Sequence, residues 1–334
     1  MREVEVKPLV AEAKTSTPIV EINGLKQYFN EGKKNEVRAV NDVSFSIKKG
    51  ETFGLVGESG SGKSTTGRAI IKLSDITGGE VLYKGKNIGD IKGRKDLLSF
   101  RKSVQMIFQD PYASLNPRLT VKDIIGGALK VHGMTSNSAE RTKKVYDLLE
   151  SVGLSKQFAN RYPKEFSGGQ CQRVGIARAL AVEPDFIVAD EAISALDVSI
   201  QAQVVNLLKE LKEENNLTYL FIAHDLSMVK YISDRIGVMN NGRVLEISPS
   251  DELYQAPLHP YTESLLSAIP TPDPEAERSR VRTEYDSHYH HYEDLDQVAL
   301  HEIASDHYIY CHKDEVTLYK KKRERLLRER RYYA

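Results

Sequence analysis

The chain has 334 residues, with 47 basic against 47 acidic side chains and two cysteines. This length allows one large domain with an appendage and a real hydrophobic core, and the balanced charge argues against a global field that would draw the chain onto nucleic acid or anionic lipid. Cys171 and Cys311 form neither a CxxC pair nor a disulfide framework, which suits a reducing compartment, and with no signal-like leader and no apolar run near the ~20 residues of a membrane span, a soluble chain is expected whose membrane role comes through a partner.

Residues 1–18 are polar and weakly patterned and read as a flexible leader. Patterning begins at Ile19, and Val43, Phe45 and Ile47 alternate with polar residues as in a strand with one buried face. The run 52–57 is a short apolar strand entering a Gly/Ser-rich turn, and 63–73 continues as a helix. Residues 80–88 are strand-like with a Lys-Gly turn. Val145, Leu148, Leu149 and Val152 fall at helical spacing, so a helical insert is placed at about 112–182. Its last helix opens at FSGGQ (166–170) and runs to about Val182, where Glu-Pro-Asp breaks it. A buried strand (186–191), an amphipathic helix (201–215) and a second strand (217–225) follow. Strands alternating with helices indicate a parallel sheet covered by helices. The Asn-Gly turn within 235–247 signals a hairpin. A Pro-rich stretch at 270–280 closes the main domain, taken as 19–270, and 271–334 is read as a C-terminal extension.

Four groups of residues carry chemistry. The strongest is Gly57-Glu58-Ser59-Gly60-Ser61-Gly62-Lys63-Ser64-Thr65, which matches G-x4-G-K-[ST] between a strand and a helix. Its glycines let successive N–H groups turn inward around phosphates, and the helix adds its positive end. Lys63 supplies a charge for the β- and γ-phosphates, and the Ser64 hydroxyl suits Mg2+. The second group is Asp190 and Glu191 at the carboxyl end of a buried strand, where ligands of open α/β sheets collect. Asp190 suits Mg2+ through water, and Glu191 is placed to polarise an attacking water. His224 ends another buried strand on the same edge and suits a γ-phosphate or that water. Gln109 follows the apolar run 104–108, and its amide suits both Mg2+ and water.

These segments together resemble the nucleotide-binding subunits of ABC transporters. The decisive stretch is FSGGQ, with Phe166 where the family usually has Leu. The resemblance covers about residues 19–270. It implies an α/β P-loop NTPase core of RecA-like type, with an antiparallel β-subdomain, the helical insert and the small extension. It implies that Ser167, Gly168, Gly169 and Gln170 cap an ATP held by the opposite subunit. It puts Asp197, in SALD (194–197), at the dimer interface and Tyr28 against adenine. The implied cofactors are ATP and Mg2+, and the reaction is ATP hydrolysis. PLHPYTESLLSAIPTPDP (257–274) and MIFQDPYASLNPRLTV (106–121) resemble the oligopeptide and dipeptide importer branch, and 285–315 resembles the tail of its F-type subunits in Gram-positive bacteria. That branch implies a D-type ATPase partner, two membrane permeases, an extracellular peptide-binding protein, and a place at the cytoplasmic face of the cell membrane. An importer of dipeptides or metal, a stand-alone exporter ATPase and a soluble ABC ATPase are the alternatives.

Three departures stand out. Ala192 follows Glu191 where the family has Pro, which would stiffen the backbone. Cys171 stands where a basic residue is common. Only Cys311 lies in the region where many relatives hold an iron–sulfur centre with a cysteine cluster, so none is expected. Six of the nine histidines lie between His288 and His312, which reads as a His/Tyr-rich polar cap in preference to a metal site. The closing basic segment reads as a solvated helix end, with anionic lipid as the alternative.

Overall fold

A computed structural model describes residues 18–270, 278, 282–286, 292 and 297–331, the side chains of 330 and 331 excepted. The expected leader lies outside the described residues except for Pro18, as do His288, His290 and His291.

Two sheets and a helical insert make up the architecture. Strands β1 (Pro18–Phe29), β2 (Val37–Lys48), β4 (Gly78–Tyr83) and β5 (Lys86–Asn87) form an antiparallel sheet in the order β2-β1-β4-β5. Along β2, Val43, Phe45 and Ile47 are buried as the alternation requires. Phe45 stacks on Phe53 with ring centroids 4.8 Å apart, which ties this sheet to the core.

The core sheet contains β3 (Thr52–Val56), β6 (Val104–Ile107), β7 (Phe186–Asp190), β8 (Thr218–Ala223) and β9 (Arg235–Asn240), in the order β9-β3-β8-β7-β6 with every pairing parallel. Every residue of β3, β7 and β8 is buried, because helices cover both faces. Helices α1 (Lys63–Ile70), α2 (Arg94–Ser103), α6 (Val198–Asn215) and α7 (Leu226–Ile232) belong to this layer. The insert consists of α3 (Val121–Val131), α4 (Ser138–Ser151) and α5 (Gly168–Leu180). Thr120 and Asn137 cap α3 and α4 by accepting the N–H groups of Asp123 and Glu140. No helix among the described residues is long and apolar enough to cross a membrane.

The C-terminal part differs from a polar cap. β10 (Arg243–Pro249) turns back on β9 through Asn241 and Gly242, both with positive φ. β11 (Val298–Ala304) and β12 (His307–His312) then join the same sheet through β12 on β10. Helices α8 (Ser250–Gln255), α9 (Pro260–Ser267) and α10 (Val316–Arg331) pack around this edge. His307 is fully buried, with Nε2 2.9 Å from Glu246 and Nδ1 2.6 Å from Glu252, and Arg323 of α10 also reaches Glu252. Burial works against the charged ring, but the two carboxylates outweigh it and hold His307 above its ordinary pKa. Burial likewise opposes the Glu252 charge, and His307 and Arg323 still bring its carboxyl down to about 2. Alternation along β12 buries His307, Ile309 and Cys311 together, so one histidine of the expected cap serves as an interior residue.

Candidate active site

The phosphate-type loop is built where β3 ends. The chain leaves the buried strand at Val56 and re-enters helix at Lys63. Gly62 caps the helix with φ 105°, and a Cβ there would lie 2.1 Å from the Ala39 carbonyl oxygen, so glycine alone fits. Behind the loop, Gly242 donates its N–H to Ser61 O (2.9 Å) and Glu58 donates its N–H to the Tyr261 hydroxyl (3.2 Å). Lys63 is 3% exposed, and its ammonium donates to the Gly57 and Glu58 carbonyls, both at 2.7 Å, and to Ser61 Oγ at 3.3 Å. Burial lowers its pKa, with Glu191, Asp190 and Glu58 opposing. A cation held inside a loop at a helix N-terminus makes this concavity electropositive.

The facing wall carries the carboxylates. Ser64 Oγ donates to Asp190 Oδ1 at 2.6 Å, and Arg68, one helical turn further, stands 3.7 Å from the other carboxylate oxygen. Burial raises the Asp190 pKa, offset in part by Ser64 and Arg68. Hydroxyl and carboxylate oxygens meeting at 2.6 Å are donors that suit a hard divalent cation such as Mg2+. Glu191 sits in the left-handed region at φ 46°. Its N–H donates to Ile222 O (2.9 Å), and its carbonyl accepts from both Ser194 N–H (3.1 Å) and Ser194 Oγ (2.9 Å). The turn presents the Glu191 carboxylate to Gln109 Nε2 at 2.8 Å and to His224 Nδ1 at 3.8 Å. Residues 57–65, 109, 190, 191 and 224 therefore line one edge of the core sheet. Ala192 is buried, and the Ser194 bonds fix the turn where a proline ring is missing.

Ser167, Gly168, Gly169 and Gln170 form a second cluster. Ser167 caps α5 in a reciprocal box: its N–H donates to Gln170 Oε1 (3.0 Å), and its Oγ accepts from Gln170 N–H (3.4 Å). A Cβ on Gly169 would lie 2.6 Å from Ile200 Cγ2, so α5 begins in close contact with α6. Asp197 caps α6, is exposed, and makes no side-chain cap bond. Tyr28 lies on the antiparallel sheet, its hydroxyl donating to Asn41 Oδ1 at 2.7 Å and its ring 5.3 Å from the Arg38 guanidinium carbon. Cys171 is buried and its thiol reaches the Pro163 carbonyl at 3.3 Å, with burial pushing its pKa up to about 11.

Sequence reasoning missed Arg68, Ser194 and Tyr261. The four-residue spacing from Ser64 is the signal for Arg68, since both fall on one helix face. Ser194 stands within the SALD run already singled out. Tyr261 has no local signal, because the loop it touches is distant in sequence.

Residues 40–194 match the ABC transporter family profile, and 245–292 match that of the oligopeptide/dipeptide transporter C-terminal region. The oligopeptide transport ATP-binding protein OppF of Bacillus subtilis is 62% identical over 88% of this chain and 96% of its own length. The dipeptide transport ATP-binding protein DppF of Lactococcus lactis is 56% identical over 91% of this chain and 97% of its own. Among solved structures, a dimeric ATP-binding cassette in a post-hydrolysis state bound to ADP and Pi is similar at 32% identity and a TM-score of 0.63, over 69% of this chain and 98% of that one.

Proposed function

Because the chain belongs to the ABC transporter family, within its oligopeptide transport ATP-binding proteins, we propose that it is the ATP-hydrolysing subunit that powers import of oligopeptides across the cell membrane. The observation that carries the chemistry is the convergence of Lys63, Ser64, Gln109, Asp190, Glu191 and His224 on one sheet edge. Dipeptides are the second reading, favoured by the Lactococcus relative.

ATP lies with its phosphates in the 57–65 loop. Lys63 exchanges its carbonyl partners for the β- and γ-phosphate oxygens and stabilises the charge that develops on transfer. Ser64, Asp190 and Gln109 are the residues that would hold Mg2+, and a bound ion would supply charge neutralisation for the phosphate oxygens. Glu191 accepts a hydrogen bond from water and aligns it for in-line attack, giving ADP and phosphate. Gln109 holds the Glu191 carboxylate in place, and His224 steadies the γ-phosphate. The N-terminus of α5, with Ser167 to Gln170, closes on the ATP of an opposite subunit. Asp197 lies at that interface, and Tyr28 supports the adenine.

The opposite subunit is an unlike, D-type ATPase. The pair sits beneath two permeases at the cytoplasmic face, with an extracellular protein delivering the peptide. The exposed Leu73, Leu98, Phe108 and Val131 line an apolar groove beside Gln109, a surface suited to the permeases. The segment 111–121 and the helical insert carry the motion of hydrolysis to them.

Purification of the Glu191→Gln variant from membranes in Mg-ATP tests both parts. Hydrolysis falls roughly 100- to 10,000-fold while ATP stays bound, and the trapped assembly contains two permeases and an unlike ATPase by mass spectrometry. Normal turnover would refute the role of Glu191, and capture with an exporter's partners would refute peptide import.

A further inference from the structure

The His259-Pro260-Tyr261 segment is pinned into the back of the nucleotide loop. Pro260 opens α9, and His259 caps it, with Nδ1 accepting the Tyr261 N–H at 3.1 Å. The N–H groups of Leu258 and His259 each donate to one carboxylate oxygen of the fully buried Glu246, both at 2.9 Å. Glu246 lies on β10 and also meets His307. The start of α9 is thus fixed to the core sheet by two bonds and braced by its own cap, and Tyr261 has little freedom to move. Its ring is 2% exposed and packs edge-on against Tyr285, with centroids 5.3 Å apart.

From that position the Tyr261 hydroxyl accepts the N–H of Glu58, the second residue of the loop. The Glu58 carbonyl accepts the Lys63 ammonium at 2.7 Å. One loop residue is therefore held by Tyr261 at its nitrogen and holds the lysine at its oxygen. Loss of the hydroxyl leaves the Glu58 amide without its buried acceptor and frees the backbone that seats Lys63.

We propose that Tyr261 is a positioning residue for the nucleotide cradle, and that the His259–Tyr261 segment sets the affinity of the 57–65 loop for a nucleoside triphosphate. The inference rests on reading that loop as the ATP site. It concerns binding more than turnover, because Tyr261 reaches the loop entrance and makes no contact with Glu191, Gln109 or His224 among the bonds of the described residues.

The test is Tyr261→Phe in the full chain, which keeps the ring and its packing. Titration with Mg-ATP should show binding weakened roughly three- to tenfold, the share of one hydrogen bond. The KM for ATP should rise to match, with kcat at saturation within about twofold. Tyr285→Phe removes a hydroxyl from the neighbouring ring and should leave ATP binding unchanged. Unaltered ATP affinity in Tyr261→Phe would overturn the proposal, as would an equal loss in both variants or a fall in kcat alone. A Lys63→Ala chain that bound ATP normally would instead refute the nucleotide reading of the loop.

Discussion

Among the described residues, the helix N-termini at Lys63 and at Gly168 are both suited to phosphate, and they are built in opposite ways. The loop before α1 is walled by its own chain: Ala39 against Gly62, Gly242 behind Ser61, and Tyr261 behind Glu58. Its lysine is buried within it. The N-terminus of α5 has Ser167 exposed, pairs Ser167 with Gln170 in a capping box, and packs against Ile200, Leu196 and Tyr112. The first is a loop walled from behind by residues of its own chain. The second is a surface, and a helix end of that kind acts on a phosphate only when another body brings the phosphate to it.

Substitutions on the two sides should separate binding from assembly. Lys63→Ala, the largest effect, should abolish ATP binding by the isolated chain and lower hydrolysis at least roughly 100-fold. Ser167→Arg places a long cation on the exposed helix end. Titration calorimetry on the isolated chain should give ATP affinity within about twofold of the parent, while hydrolysis by the assembled pair falls by a factor on the order of 100. If both variants lost binding equally in the isolated chain, the contrast would collapse.

A smaller effect tests the enclosure itself. Gly62→Ala meets the Ala39 backbone at 2.1 Å, whereas a Cβ at Gly60 has nothing within 4 Å. Both glycines have positive φ, so each alanine is strained by about 1–2 kcal/mol. Only Gly62→Ala adds the collision, and denaturant melts should show it as the more destabilised by a further 1–3 kcal/mol or so. Equal melts would mean that β2 does not wall the loop.

The smallest effect concerns the far edge of the sheet. His307 has a raised pKa when folded, so its share of stability is complete below the unfolded value near 6.5 and is lost as pH rises through the folded value. Glu252 works in the other direction. Its share is complete above 4.5 and is lost as pH falls toward about 2. NMR titration should find the His307 ring still protonated above pH 6.5. A ring titrating at or below that value would rule out the charged pair.

The core strands, the loop at 57–65 and the strand-end positions of Asp190, Glu191 and His224 were legible because each is written locally. An apolar run of strand length, a Gly-rich turn and a polar residue at the strand's carboxyl end need no knowledge of distant neighbours. Element ends were less legible: α6 begins at Val198, three residues before the expected start, with the Asp197 carbonyl accepting the N–H groups of Ile200 and Gln201. The C-terminal hairpin was not legible. Polar His307 is interior there only because Glu246 and Glu252 arrive from β10 and α8.

By itself, the sequence determined that the loop 57–65 joins a strand to a helix and that Asp190, Glu191 and His224 fall at strand ends, since these depend on spacing and backbone preference along a few residues. Tertiary structure alone decided how those residues face one another. It turned Glu191 through φ 46° toward Gln109 and His224, set Tyr261 behind Glu58, and built the tail into the core sheet. Contacts between residues far apart in the chain follow from how sheets and helices pack, and no local pattern records them.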